Sequence, residues 1–181
     1  MLRSLFLYTA LLCGANAAFA GQIDFDAAHA AGLAKLAPTD ATLAPQASFT
    51  GADGQPVTLA DYKGKALLVN FWATWCAPCR AEMPSLDRLQ QQRGGDDFQV
   101  LTIATGRNAP AAIDKFLAET GIRSLPRLTD PKMALARAFG VLGMPVTVLI
   151  DADGQEVARL IGDAEWDSPA ALAVIDQLTA N

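Results

Sequence analysis

The chain has 181 residues, of which 51% are hydrophobic and 18% are charged, and its formal net charge is −5. This length suits a single domain with a sizeable core, and the composition excludes a disordered chain. A net negative charge is not typical of proteins that neutralise nucleic-acid phosphates, so we expect no nucleic-acid partner.

The first element in chain order is a short apolar segment. Arg3 precedes the apolar residues 5–13, and Ala18-Phe19-Ala20 ends the segment. This pattern is typical of a signal peptide cleaved after Ala20. The apolar run is shorter than the ~20 residues that a membrane-spanning helix needs. We therefore expect residues 1–20 to direct export to the periplasm, with an uncleaved inner-membrane anchor as the alternative.

Residues 24–92 are expected to form a short helix, a linker, a hairpin, a buried strand and a second helix. Residues 24–36 are Ala-rich with helical spacing, and residues 38–45 are typical of a linker. Residues 48–59 contain Asp-Gly between two short β-prone runs, which predicts a hairpin. The continuous apolar run of residues 66–72 predicts a central buried strand, and a helix is expected over residues 78–92.

The second half alternates strands and helices. The expected elements are a strand over 98–104, helices over 109–120 and 131–139, strands over 146–151 and 156–161, and a final helix over 169–178. A β-α-β unit followed by a β-hairpin places parallel and antiparallel strands in one sheet. The sequence therefore predicts an α/β domain with a central mixed β-sheet flanked by helices.

Two cysteines three positions apart stand at the junction between the buried strand and its helix. Cleavage after Ala20 would remove Cys13 and leave Cys76 and Cys79 as the only cysteines. A disulfide between such close residues closes a short loop and braces the fold little, so the pair is better suited to redox exchange. In a helix their Cα atoms would lie about 5 Å apart, which allows a disulfide.

The two cysteines are expected to have different roles. Cys76 lies at the predicted helix N-terminus, where free N–H groups and the helix dipole favour a thiolate. We therefore predict that Cys76 attacks and that Cys79, one turn inside the helix, resolves the mixed disulfide. A structural zinc site is the alternative, but it wants four ligands and the cleaved chain offers only these thiols and His29. We expect His29 to be a surface imidazole, and no metal or other cofactor besides the redox-active disulfide.

Two stretches carry a resemblance to a known family. Residues 71–84, Phe-Trp-Ala-Thr-Trp-Cys-Ala-Pro-Cys-Arg-Ala-Glu-Met-Pro, and residues 143–151, Gly-Met-Pro-Val-Thr-Val-Leu-Ile-Asp, resemble the TlpA/ResA-like branch of the thioredoxin superfamily. The stretch around Trp166 resembles TlpA proteins. The resemblance covers about residues 44–180 and implies a thioredoxin fold with an N-terminal extension.

The resemblance also implies a domain division and a function. We expect an N-terminal helix and linker over residues 21–44 and a monomeric thioredoxin-like domain over residues 45–181. Proteins of this branch reduce disulfides of exported partner proteins in cytochrome c or cytochrome oxidase copper-site assembly, and a membrane-borne thiol donor recycles them. The resemblance therefore implies an exported thiol:disulfide oxidoreductase.

Further roles near the cysteines follow from the resemblance. Asn70 stands where cytosolic thioredoxins carry a buried Asp that moves a proton to the resolving cysteine, and an amide cannot do so. Glu82 matches an acid that this branch places near the pair. Half-buried there, Glu82 would have a raised pKa and exchange protons with Cys79. The alternative is a solvated surface glutamate.

The resemblance implies substrate contacts around the disulfide. A cis bond before Pro145 would bring the Met144 backbone against the disulfide, although Val146 stands where the family usually has Thr. The expected substrate-binding residues are Trp75, Ala77, Pro78, Met144 and Pro145. We expect Trp75 at the exposed rim and Trp72 in the core.

Two other functions are less consistent with the sequence than a thiol:disulfide oxidoreductase. A thiol peroxidase of the peroxiredoxin type needs Pro-x-x-x-Thr-x-x-Cys, and no such spacing precedes Cys76. A copper-binding assembly module uses two cysteines with a distal histidine on a late loop, whereas His29 lies far upstream. Both alternatives are therefore disfavoured.

Overall fold

The computed structural model describes residues 23–180, so the predicted signal peptide lies outside the described residues. None of the helices in this part of the chain is long and apolar enough to cross a membrane. In chain order the elements are α1 (Phe25–Ala30), β1 (Leu36–Leu43), β2 (Phe49–Thr50), β3 (Pro56–Val57), a 3-10 turn (Leu59–Tyr62), β4 (Ala66–Trp72), α2 (Ala77–Arg93), β5 (Phe98–Thr105), α3 (Pro110–Thr120), β6 (Leu128–Asp130), α4 (Ala134–Ala138), β7 (Val146–Ile150), β8 (Gln155–Ile161) and α5 (Pro169–Leu178).

The strands form one mixed sheet in the order β1-β8-β7-β4-β5-β6-β2-β3. The predicted central strand is β4, whose seven residues are all buried. It pairs in parallel with β5 and antiparallel with β7. The predicted hairpin is present as β2 and β3. The α/β class and the thioredoxin fold with flanking helices are confirmed.

Alternate residues of β4 point into two separate parts of the core. Leu68 and Trp72 pack in the cluster that includes residues of α2, α3 and α5. Val69 and Phe71 pack in the second cluster, with residues of α4. Asn70 is two residues from Leu68 and from Trp72, so its side chain points to the same face of the sheet, which α2 covers. A polar group therefore lies beneath the helix that carries the cysteines.

The N-terminal extension differs from its prediction. The helix expected over residues 24–36 ends at Ala30, and Gly32 follows with a positive φ of 113°. The linker expected over residues 38–45 was wrong, because β1 occupies most of it and pairs antiparallel with β8. Leu36 is buried in the core, whereas most of β1 is exposed. An edge strand with so few buried residues lacks the apolar alternation that predicts strands.

The region before β7 also differs from its prediction, by one unpredicted strand and a later helix start. The helix expected over residues 131–139 begins at Ala134, and the short strand β6 before it was not predicted. The buried carboxylate of Asp130 accepts hydrogen bonds from the backbone N–H groups of Ala134 and Ala136. Asp130 thus supplies acceptors for two N–H groups in the first turn of α4, and residues 131–133 form a turn before the helix.

Candidate active site

The two cysteines lie where the central strand gives way to a helix. Cys76 is the N-cap of α2, and Cys79 lies in its first turn. They form a disulfide whose Cα atoms are 5.3 Å apart, close to the value of about 5 Å expected from helix geometry. Cys76 is 7% exposed and Cys79 is 0% exposed. The structure therefore leaves Cys76 as the sulfur nearer to solvent.

The N-terminus of α2 directs a hydrogen-bond donor at this sulfur. The backbone N–H of Cys79 points at Sγ of Cys76, and the N–S distance is 3.3 Å. The first N–H groups of a helix lack partners within the helix and carry the positive end of its dipole. After reduction of the disulfide, this environment favours negative charge on Cys76, and the thiolate is the reactive form of a cysteine.

The loop before β7 covers the disulfide from the other side. The Met144–Pro145 peptide bond is cis, as the resemblance implied. The carbonyl oxygen of Met144 lies 3.7 Å from Sγ of Cys76. Pro145 is buried, and its carbonyl accepts a hydrogen bond from the N–H of Gly162 at 2.9 Å. The structure thus brings the Met144 backbone against the disulfide.

Apolar side chains are exposed on the segments that flank Cys76 and the cis proline. Trp75 is 66% exposed, whereas Trp72 is 2% exposed, as expected for a rim residue and a core residue. Leu142 and Ile161 are also exposed, and Ile161 is paired with the first residue of β7. We call Trp75, Leu142 and Ile161 the apolar rim. All three lie on segments next to Cys76 or to the cis proline, and exposed apolar side chains on such segments are typical of a surface that contacts other proteins.

A loop contact that the sequence did not predict holds the segment before Cys76. The side-chain oxygen of Asn108 accepts hydrogen bonds from the backbone N–H of Thr74 at 2.8 Å and from its hydroxyl at 3.0 Å. The indole N–H of Trp75 donates to the carbonyl of Arg107 at 3.2 Å. Asn108 carries no recognisable motif, so only the three-dimensional arrangement identifies it.

Glu82 lies on the side of α2 that faces the sheet, and it is only 3% exposed. Its Oε1 accepts a hydrogen bond from Nδ2 of Asn70 at 2.8 Å. Its Oε2 accepts from the backbone N–H of Ala164 at 3.2 Å and from the indole N–H of Trp166 at 3.1 Å. The solvated surface glutamate is therefore excluded as an alternative.

The surroundings of Glu82 perturb its acidity strongly. Burial raises the pKa of Glu82 from 4.5 to about 7, and the carboxylate of Asp163 also acts to raise it. The three hydrogen bonds act in the opposite direction, because they stabilise the charged form. A carboxyl group with this pKa can both give and take a proton near neutral pH.

Asn70 links this carboxyl group to the next strand. Its Nδ2 also donates to Oγ1 of Thr147 on β7 at 3.0 Å. Its Oδ1 is buried and has no hydrogen-bond partner among residues 23–180. The sequence identified Asn70 and Glu82 but not Thr147 or the contact to Trp166. Both missing partners come from segments more than sixty positions away, which local patterns cannot bring together.

The predicted surface histidine lies apart from these groups. His29 is exposed on α1, and its Nε2 lies 2.6 Å from the carbonyl oxygen of Leu36. Within residues 23–180, no three His, Cys, Asp or Glu side chains are grouped so that they could hold a metal ion.

Comparison with known proteins agrees with this site. The Redoxin family matches residues 38–175. Thiol-disulfide oxidoreductase ResA of Bacillus thuringiensis (strain Al Hakam) is 31% identical over 120 residues, which cover 66% of this chain and 68% of ResA. Thiol:disulfide interchange protein HelX of Rhodobacter capsulatus is 37% identical over 125 residues, 69% of this chain and 64% of HelX.

Solved structures have the same fold. A thioredoxin family thiol:disulfide interchange protein from Chlorobium tepidum TLS matches with a TM-score of 0.62 and 30% identity, over 80% of this chain and 100% of that chain. The exposed lipoprotein thioredoxin Etrx1 of Streptococcus pneumoniae matches with a TM-score of 0.58 and 32% identity, over 70% and 96% of the two chains. The chain therefore belongs to the redoxin family and is a thioredoxin-fold thiol-disulfide oxidoreductase of the ResA-like kind.

Proposed function

We propose that the protein is a periplasmic reductase that transfers electrons from its cysteine pair to disulfides of exported proteins. The observation that carries the proposal is the reactive pair itself, with Cys76 at a helix N-terminus beside an apolar rim and Cys79 buried behind it. By its resemblance, its partners are proteins of cytochrome c or cytochrome oxidase copper-site assembly. The signal peptide predicted over residues 1–20 supports export.

The proposed reaction proceeds through a mixed disulfide. The Cys76 thiolate attacks one sulfur of the substrate disulfide, which forms the mixed disulfide and releases the other substrate sulfur as a thiolate. Cys79 then loses its proton and attacks Sγ of Cys76. This step closes the Cys76–Cys79 disulfide and releases the second substrate sulfur. Two electrons pass to the substrate, and a membrane-borne thiol donor restores the reduced pair.

Glu82 is the proposed proton acceptor for Cys79. It lies one helical turn after Cys79, and Asn70, at the position of the usual acid, cannot take a proton. With a pKa raised to about 7 by burial, Glu82 is partly ionised at neutral pH. It can therefore accept the Cys79 proton as the resolving attack begins and return it when a donor reduces the disulfide.

The substrate is proposed to lie across the disulfide. Trp75, Ala77 and Pro78 are exposed on one side of the pair, and Met144 is partly exposed on the other. Pro145 is buried and holds the Met144 backbone in place. A substrate segment carrying the target cysteine would contact the Met144 backbone and the apolar rim. This arrangement favours extended substrate segments with apolar side chains beside the cysteine.

A trapping experiment tests the division of roles. Reduced Cys79→Ser protein should attack a disulfide-bonded peptide and stall as a mixed disulfide, because the resolving sulfur is missing. Reduced Cys76→Ser protein is the matched control and should trap nothing. Mass spectrometry of the products, without added reductant, measures both. If only the Cys76→Ser protein trapped the peptide, the proposed roles of the two cysteines would be reversed.

A further inference from the structure

One face of α2 is fastened to the loop between β8 and α5, residues 162–168. Three side chains at intervals of three positions point from this face to the loop: Glu82, Ser85 and Arg88. The guanidinium of Arg88 pairs with the carboxylates of Glu165 and Asp167 at the exposed end of the contact. The loop therefore lies in a fixed position against the helix that carries the cysteines.

Trp166 is the buried centre of this contact. Its side chain is 0% exposed, and its indole N–H reaches Oε2 of Glu82 at 3.1 Å. Its backbone N–H donates to Oγ of Ser85 at 3.0 Å, and that hydroxyl donates to the carbonyl of Glu82 at 2.7 Å. Main chain and side chain of Trp166 are thus both tied to the same turn of α2. The indole cannot rotate away from Glu82 without breaking buried hydrogen bonds.

We propose that Trp166 is a positioning residue of the thiol–disulfide reaction, whose indole N–H holds the Glu82 carboxyl group in the orientation in which it exchanges a proton with Cys79. This role rests on the proposed function of Glu82 as proton acceptor. A neutral N–H donor stabilises the carboxylate form without adding a charge of its own. The indole therefore keeps a buried carboxyl group ionisable near neutral pH.

Few other charges act on this carboxyl group. On α2, Cys79 is the titratable residue one turn before Glu82, and it titrates only in the reduced protein. The strands beneath contribute the neutral side chains of Asn70 and Thr147. The loop contributes the carboxylate of Asp163, which acts to raise the pKa of Glu82. Among residues 23–180, three neutral hydrogen-bond donors lower the pKa of Glu82 against the effects of burial and Asp163, and the indole is one of them.

Trp166→Phe removes the donor while it keeps an aromatic ring in the core. The midpoint of the Glu82 carboxyl titration, followed by carbon NMR of glutamate-labelled oxidised protein, should rise by about one pH unit, the typical effect of one hydrogen bond to a charged group. At neutral pH, closure of the mixed disulfide by Cys79 should slow about fivefold, since a smaller fraction of Glu82 is ionised. An unchanged midpoint would overturn the proposal.

Trp72→Phe is the matched control. Trp72 is 2% exposed in the same hydrophobic cluster, but its indole N–H has no hydrogen-bond partner within residues 23–180. The substitution removes the same atoms from the core without removing a donor to Glu82. We expect lower stability and an unchanged Glu82 midpoint. An equal shift in both variants would assign the effect to core packing and overturn the role of the indole.

Two further measurements separate this proposal from the role of Glu82 itself. If Glu82→Gln left the pH dependence of disulfide closure unchanged, Glu82 would not be the proton acceptor. If Glu82→Gln changed it and Trp166→Phe did not, only the role of Trp166 would fail. In the wild-type protein, the indole proton resonance of Trp166 should shift with pH at the Glu82 midpoint. A resonance that is flat in wild type as in Glu82→Gln would overturn the proposal even if Trp166→Phe did not fold.

Discussion

Glu82 makes the stability of the folded protein depend on pH. Burial raises the pKa of Glu82 from 4.5 to about 7 in the folded protein, whereas the unfolded chain keeps the ordinary value. A raised folded-state pKa means that the folded state holds the proton more tightly than the unfolded state. The stability that this proton contributes is fully present below pH 4.5 and is lost as the pH rises through about 7.

We therefore expect the free energy of unfolding to fall with pH more steeply in the wild-type protein than in Glu82→Gln. Between pH 4.5 and about 7, the difference should reach about 3 kcal/mol, from roughly 1.4 kcal/mol per pKa unit. Urea unfolding of both oxidised proteins across this range measures it. The other carboxylates contribute equally to the pH dependence of both proteins, so they do not affect the difference between the two profiles. Parallel pH profiles would mean that Glu82 titrates at its ordinary pKa.

At the residue scale, local spacing predicted part of the site. The cysteine pair follows from two positions three apart at a strand–helix junction, whereas the role of Glu82, in the next helical turn, was implied by the family resemblance. The hydrogen bond between Glu82 and Trp166 joins residues 84 positions apart. Which loop returns to cover a given helix turn depends on packing of the whole chain, and a single sequence has no local pattern for it.

At the element scale, buried elements were predicted well and edge elements were not. β4 and α5 have the predicted bounds, because continuous apolar runs or amphipathic spacing mark them clearly. Most of β1 was predicted as a linker, because this stretch begins with Pro38 and lacks apolar alternation; in the structure only one of its side chains is fully buried. A register shift between Pro38 and Thr42, with Ala41 at a positive φ of 49°, interrupts its pairing. Such interruptions are typical of edge strands that resist pairing with other chains.

Removal of β1 should therefore expose a less protected edge. A chain that begins at Ala44 lacks β1 and leaves β8 without its antiparallel neighbour. We expect this chain to associate with itself and to unfold at a lower temperature than a chain that begins at Gly21. Size-exclusion chromatography at several concentrations and thermal unfolding compare the two. A monomeric short chain with an unchanged unfolding temperature would contradict the role assigned to β1.

At the scale of the whole molecule, the direction of electron flow depends on the redox potential. Thiol oxidoreductases range from about −270 mV for thioredoxin to about −120 mV for strong oxidants, which stabilise their reduced form. Ala77 and Pro78 place no charged side chain between the cysteines, and an ionised Glu82 nearby opposes further stabilisation of a thiolate. We expect a potential near the thioredoxin end, measured by equilibration with glutathione. A potential near −120 mV would identify an oxidant and reverse the proposed direction.

The three-residue spacing of the disulfide links the folding stability of the protein to its redox potential. Because the cross-link closes so short a loop, it constrains the unfolded chain little. By a thermodynamic cycle, the unfolding constant of the oxidised protein divided by that of the reduced protein equals the disulfide's formation constant in the unfolded chain divided by that in the folded chain. Each tenfold ratio corresponds to about 30 mV. Unfolding curves of the oxidised and reduced proteins thus report how far the fold moves the redox potential from that of a flexible peptide. If the protein is a reductant, its oxidised form should be at least as stable to unfolding as its reduced form.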